Sequence, residues 1–389
     1  MSLKHKLLVL ACALGTGTLG LAQTQGVSPD TITIGTIQDL SGPLAGFGKQ
    51  ARDGMQLRVD EINEQGGING RKVVLRVEDN GYDPKRGVLA AQKLVNQDKV
   101  FAVLGHIGTA SNVASFPILF RKNVISFFPL TAARQMYEPI HELKWAYAAT
   151  YYDQIRLTAP TLIQEKNAQK ICSVYQDDDF GQEVLQGAED GLKAMGLELT
   201  EKTSFKRGAT DFSSQVARMK AAGCDFVVMG TLIRETIGVI GESRKTGFDP
   251  TFIGSIGAYT ELIHKLGGPA MDGFYATMTM EQPYVDAASD PIRFWANKYK
   301  TRFGEDPAMF SVYGYMIVDS FATVADKAGK NLTTDAFVKE MERTTIEPNI
   351  FGGDVMTFSP TRHLGSNRSR LSQIQDGKWV AVSDYIGEH

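Results

Sequence analysis

Short apolar, β-branched runs alternate along this chain with longer segments whose apolar positions recur every three to four residues. The first run, residues 31–37, stops at the polar turn Ser41-Gly42-Pro43. A helical segment follows, ends at Gly66-Gly67, and gives way to a second run at 73–77. Strand, turn, helix, strand is the repeating unit of a parallel sheet. The alternation continues with a helix over 84–96, a strand over 100–105, a helix near 111–121 and a strand over 124–128. Each strand is a nearly continuous apolar run, as expected where helices cover both faces of a sheet. Residues 147–152 read as an extended piece before a new helix, and the pattern then restarts at a strand over 171–175. Further strands at 198–205, 226–229 and 252–254 alternate with helices ending near 196 and covering 212–222, 235–246 and 259–266. Two aromatic-rich amphipathic helices, near 291–303 and 309–328, come after this second unit is complete and are expected to pack back on the first. A hairpin-like tail over 356–386 ends the chain.

The fold class this predicts is α/β, with two open-sheet lobes; 389 residues accommodate two domains comfortably. Charged residues at 22% and hydrophobic ones at 43% describe an ordinary globular protein. The formal charge is −3, and −5 without residues 1–22, which carry Lys4 and Lys6 and no acid. That weak acidity gives no support to nucleic-acid binding or to a polybasic membrane patch.

Residues 1–22 read as a secretory signal: Lys4, His5 and Lys6, an apolar run over 7–14, and Gly20-Leu21-Ala22 before a cleavage point. Eight apolar residues are too few to span a bilayer, so an exported, periplasmic protein is expected. Acylation at Cys12 is disfavoured because the segment before it is very short. The GxGxxG match at 15–20 lies inside this leader and follows no strand, so it is not a dinucleotide fingerprint. Of the remaining cysteines, Cys172 and Cys224 each begin a predicted strand. They are either a disulfide formed after export or two buried thiols. No CxxC or Cys/His cluster supports zinc, and three consecutive acids at 177–179 cannot all point at one ion. Neither a cofactor nor a metal is expected. GxSxG, HExxH and P-loop patterns are absent from residues 23–389, which argues against an enzyme.

Several motifs occur in a specific order: Ser41-Gly42-Pro43-Leu44-Ala45, the helix exit Gly66-Gly67-Ile68-Asn69-Gly70-Arg71, and Tyr82-Asp83-Pro84. Gly105-His106-Ile107-Gly108-Thr109-Ala110-Ser111, Phe128-Pro129-Leu130-Thr131-Ala132, Asp179-Phe180-Gly181 and the segment 206–212 follow. In this order the chain resembles the periplasmic solute-binding proteins of the leucine/isoleucine/valine-binding family, whose type I fold joins two lobes by a three-crossover hinge. The resemblance implies a first lobe of residues 28–150 with 281–352 and a second of 151–280 with 353–389. It also implies a monomer that delivers a small-molecule carboxylate to an ABC transporter permease in the inner membrane. A ligand sensor for a membrane receptor and a secreted enzyme with an unrecognised site stand as alternatives.

In an open α/β lobe a ligand binds beyond the carboxyl ends of the strands. The loop through Ile107 and Gly108 into Thr109 offers small residues, a hydroxyl and a helix N-terminus, all suited to a carboxylate. The resemblance assigns the carboxylate to this loop together with Leu130, Thr131 and Ala132. It assigns pocket walls to Phe47 and Phe180, and a further wall to Tyr151 or Tyr152, one of which is expected to face the cleft. Amino-acid-binding members place an acid for the ligand ammonium where this chain has Ile256, and a tyrosine near Leu232. The cysteines of their first-lobe disulfide would fall at Tyr82 and Gly108, which frees Tyr82 as another aromatic wall. Arg234 is a candidate for a second acidic group on the ligand, or else a solvated helix-start residue. These departures favour an apolar or aromatic carboxylate over an α-amino acid, with a branched-chain amino acid as the alternative.

Overall fold

The computed structural model describes residues 24–387; the leader expected over 1–22, with Cys12, lies outside the described residues. The first lobe runs β1 (Thr31–Gln38), α1 (Ala45–Glu64), β2 (Lys72–Asp79), α2 (Pro84–Asn96), β3 (Ala102–Leu104), α3 (Thr109–Phe120), β4 (Ile125–Phe127) and β5 (Lys144–Trp145). The second runs α4 (Tyr151–Lys166), β6 (Ile171–Gln176), α5 (Asp179–Ala194), β7 (Glu201–Phe205), α6 (Ser213–Ala222), β8 (Phe226–Gly230), α7 (Ile233–Lys245), β9 (Thr251–Gly254), α8 (Glu261–Gly267) and β10 (Tyr275–Met278). The chain continues through α9 (Asp290–Phe303), α10 (Met309–Ala328), α11 (Thr334–Met341), β11 (Thr345–Ile346), β12 (Met356–Thr357), β13 (Arg370–Gln375) and β14 (Lys378–Ala381).

The first sheet has the order β2-β1-β3-β4-β5 and is parallel throughout. The second repeats that order as β7-β6-β8-β9-β10, then adds the antiparallel hairpin of β13 and β14 beside β10. Both lobes therefore present their carboxyl-end loops in the same spatial sequence, where such sheets bind ligands. Side chains explain the local stops. The buried Asp39 carboxylate accepts the N–H groups of Ser41, Gly42 and Leu44, which fixes the turn after β1. Asp83 caps α2 by accepting from Arg86 N at 2.9 Å, with Pro84 in the first turn.

α10 returns to the first lobe and packs directly on α1. A Cβ on Gly54 would stand 1.9 Å from the Ser311 carbonyl, and one on Gly314 would stand 2.1 Å from that of Ala51. Only glycine allows these two backbones to approach so closely. The approach brings Phe310 onto Phe47, stacked at 3.8 Å.

Three details differ from the sequence expectation. Residues 147–152 are not extended throughout, because Thr150 caps α4, which begins at Tyr151. Within residues 353–365, Phe358 and His363 pack on first-lobe residues. Phe358 packs 5.7 Å from Phe128 and His363 stacks on Trp145 at 3.7 Å, so the last crossing falls between Gly365 and β13. The second sheet also holds β10, the strand that receives the hairpin. Cys172 and Cys224 form a disulfide, with Cα atoms 6.0 Å apart across the neighbouring strands β6 and β8. Among the described residues, no helix is long and apolar enough to cross a membrane.

Candidate functional site

The lobes meet over a cleft framed by six strand ends. β1 leads to Leu44 and Phe47, β3 to Ile107, Gly108 and Thr109, and β4 to Leu130, Thr131 and Ala132. From the second lobe β6 leads to Phe180, β8 to Leu232, and β9 to Ile256 and Gly257.

The first-lobe face is built around Gly108, the residue before α3. Its φ of +94° is one that L side chains rarely adopt, and a Cβ there would press on the Tyr82 ring at 3.1 Å. No side chain caps α3, so the N–H groups of its first turn are left for another acceptor. Beside them the Thr109 and Thr131 hydroxyls lie 2.6 Å apart. A buried polar network holds this loop in place. Asn112 Nδ2 donates to the His106 and Gly108 carbonyls at 2.7 and 2.9 Å, and Asn80 Nδ2 donates to the Ile107 carbonyl at 3.2 Å. His106 Nε2 pairs with Ser111 Oγ at 2.8 Å. Burial holds the His106 imidazole at about 3, so it is neutral at physiological pH. Two bulky residues at this face, Tyr82 (φ 58°) and Phe128 (φ 49°), occupy the left-handed region. Such geometry costs of order 1–3 kcal/mol per residue and is characteristic of functional sites.

The second-lobe face is hydrocarbon. Phe180, Leu232, Ile256 and Gly257 lie together; a Cβ on Gly257 would touch Leu232 at 3.0 Å and Phe180 at 3.5 Å. Gln154 of α4 fixes the loop: its Oε1 accepts from Ile256 N at 2.9 Å and Thr277 Oγ1 at 2.6 Å, and its Nε2 donates to the Ala149 carbonyl.

Tyr151 faces the cleft, with its ring edge-on to Phe180 at 4.9 Å. Burial raises its phenol, against hydrogen bonds from Thr131 and the Ala132 backbone. Tyr152 does not face the cleft: helical geometry turns it outward, where its hydroxyl donates to Asp190 at 2.7 Å. Arg234 is exposed on α7 and lines neither part of the cleft. The other predicted residues, Phe47, Tyr82, Ile107, Gly108, Thr109, Leu130, Thr131, Ala132, Phe180, Leu232 and Ile256, come together as lining. Sequence reasoning missed Phe310 and Tyr313 of α10 and Tyr147 of the first crossover. The i, i+3 aromatic pair at the start of α10 was the available signal.

None of the lining residues is an acid, a lysine, an arginine or a histidine. The nearby acids are committed elsewhere. Asp178 caps α5 through Phe180 N and Gly181 N and pairs with Arg207 at 2.5 Å. Among the described residues no group of His, Cys, Asp and Glu is placed to hold a metal. Glu235 is buried in the first turn of α7, and burial raises its carboxyl.

Bonds between the lobes close the mouth. Arg207 donates to the Tyr82 carbonyl at 3.1 Å and lies 4.7 Å over the Tyr82 ring, while Gln176 Nε2 donates to the Tyr82 hydroxyl at 3.2 Å. Arg134 pairs with Glu183, and Gln50 donates to Glu261 at 3.1 Å. A separate cavity behind the hinge, lined by Met280, Glu347, Asp354 and Arg368, shares Tyr147 and Ala148 with the cleft as a wall. It has neither a helix N-terminus nor the paired threonines.

The sequence profile of a family described as periplasmic binding protein matches residues 31–378. The Leu/Ile/Val-binding protein of Escherichia coli is 27% identical over 294 residues, 74% of this chain and 78% of that protein. Two solved structures share the fold. A fatty acid ABC transporter substrate-binding protein from Thermomonospora curvata aligns with a TM-score of 0.84 at 22% identity, over 93% of this chain and 94% of that one. A branched chain amino acid ABC transporter from Thermus thermophilus with bound valine aligns at 0.83 and 16% identity, over 92% and 97% of the two chains.

Proposed function

This chain belongs to the periplasmic binding protein family, and from that premise we propose that it is the exported substrate-binding component of an ABC importer, whose lobes close over a small carboxylate that carries no amine. In this reading the closing bodies are residues 28–150 with 281–365 and residues 151–280 with 366–387. The protein binds without turnover and hands its solute to a permease in the inner membrane.

One observation carries the ligand class: the cleft offers an anion everything on the first lobe and an ammonium nothing on the second. A carboxylate at Thr109 and Thr131 takes hydroxyl donors and the positive end of α3. An ammonium opposite it would meet Ile256 and Leu232. Burying a charge without a partner costs several kcal/mol, more than an imperfect apolar fit. The name of the Escherichia coli relative favours a second reading, a branched-chain amino acid as solute. That reading requires an acid for the amine. Asp178 is already held by Arg207 and Gln176, and Glu235 is not among the residues that line the cleft.

A thermal-shift panel of aliphatic acids, aromatic acids, amides and amino acids separates the readings. A ligand at 100 times its Kd adds about 2.7 kcal/mol of stability. Shifts with acids lacking an amine support the proposal, whereas shifts confined to leucine, isoleucine and valine overturn it.

A further inference from the structure

The cleft has two chambers, and the carboxylate site accounts for only one. The outer chamber, about 320 Å³ counting its opening to solvent, holds Thr109, Tyr82, Phe180 and Leu232. The inner, about 410 Å³ on the same measure, is lined by Ala146, Tyr147, Ala148, Ile256 and Tyr313. Leu130, Thr131, Tyr151, Gly257 and Phe310 line both, so one passes into the other beside the Phe310 ring. A solute anchored by its carboxylate at Thr109 and Thr131 therefore has room to extend toward the hinge.

The inner chamber also shows what should arrive there. Its walls are the rings of Tyr147, Tyr151, Phe310 and Tyr313, which suit a flat aromatic body. Tyr313 is 2% exposed, and its hydroxyl faces that of Thr279 without a well-formed hydrogen bond to it or to any other group among the described residues. Buried polar groups in native proteins are nearly always satisfied, and an orphan beside a chamber points to a group that enters with the ligand. Burial raises the Tyr313 phenol, so it is neutral and able both to donate and to accept.

Resting on the carboxylate reading above, we infer that the solute is an elongated aromatic carboxylate that fills both chambers and bears a hydrogen-bonding group, such as a phenolic hydroxyl, at the end remote from its carboxylate. Tyr313 reads that distal group, and Ala148 sets the depth of the chamber.

Calorimetric titration of the full chain with benzoate, 3-phenylpropenoate and its 4-hydroxy derivative tests this, with leucine as a control and Tyr313→Phe and Ala148→Leu as variants. The hydroxylated acid should bind about ten-fold tighter than its unsubstituted parent, the difference one well-made hydrogen bond supplies. Tyr313→Phe should reduce that ratio to about one. Ala148→Leu should weaken both elongated acids about ten-fold more than it weakens benzoate. Equal affinities for the hydroxylated acid and its parent, or a ratio that survives Tyr313→Phe, overturn the inference. Binding of benzoate without the elongated acids overturns it while the carboxylate reading stands. Binding of leucine alone, or of nothing in the series, removes the carboxylate reading and the inference with it.

Discussion

The two faces of the cleft occupy equivalent places in two sheets of the same strand order, yet their chemistry is opposite. The first-lobe face offers N–H groups and paired threonine hydroxyls, held by a buried network of His106, Ser111, Asn80 and Asn112. The second-lobe face offers Phe180, Leu232 and Ile256 on a loop pinned by Gln154. Strand order decides where a ligand goes, and loop residues decide which of its ends is tolerated at each side. In the proposed reading, that asymmetry suits a solute with one charged end and one apolar body.

The largest expected effect comes from erasing the asymmetry. Ile256→Glu puts a carboxylate on the apolar face, and an acid without an amine would bury it unpaired. Calorimetry should show such acids weakened by about 100-fold or more, with the preference shifted toward leucine. Unchanged affinities would mean that Ile256 does not meet the ligand. The first-lobe face is broken by Thr109→Val, which removes one charge-assisted hydrogen bond worth about 1.5–3 kcal/mol. Carboxylate affinity should fall by about ten-fold or more; retained affinity would take Thr109 out of the site.

Arg207 belongs to neither face but joins them, through the Tyr82 carbonyl and ring and the Asp178 carboxylate. Stopped-flow measurements on Arg207→Ala should show dissociation about 3- to 10-fold faster with association little changed, as for lost contacts made only after encounter. An effect confined to association would assign Arg207 to steering instead. The smallest effect is a pH dependence of closure. Glu261 of the second lobe accepts from Gln50 of the first; burial raises its carboxyl, opposed by Lys265 and by hydrogen bonds from Thr260 and Gln50. A carboxyl held higher in the closed form than in the open one favours closure below its open-state value, and that contribution is lost as pH rises through the raised value. Affinity should thus decline modestly, about two-fold, as pH rises through that window, and Glu261→Gln should flatten the profile. An affinity that rises with pH, or a decline that Glu261→Gln leaves in place, would remove Glu261 from the linkage.

The strands and helices were legible because their signals are local. The turn at Ser41-Gly42-Pro43 and the Asp83-Pro84 helix start are each fixed by one neighbouring aspartate, Asp39 or Asp83 itself. The loop at Gly108 and Thr109 was legible for the same reason, since it is a strand-to-helix junction. What escaped depends on distant chain segments meeting. Phe310 and Tyr313 reach the cleft only because Gly54 and Gly314 let α10 lie against α1, a contact between residues some 260 positions apart. Tyr147 joins the inner chamber from the first crossover. The choice between Tyr151 and Tyr152 turned on whether that stretch was strand or helix, which the Thr150 cap decides. The packing of Phe358 was not legible because its partners, Phe128 and Trp145, lie more than 200 residues upstream.

Leucine and 4-methylpentanoate differ only in the amine, so calorimetric titration of this protein with that pair addresses the central claim without any mutation. The second-lobe face predicts that the deaminated acid binds at least about ten-fold tighter, because the ammonium must be buried beside Ile256 and Leu232 without a partner. Equal binding, or tighter binding of leucine, would contradict it and would mean that an acid reaches the amine from outside the apolar face.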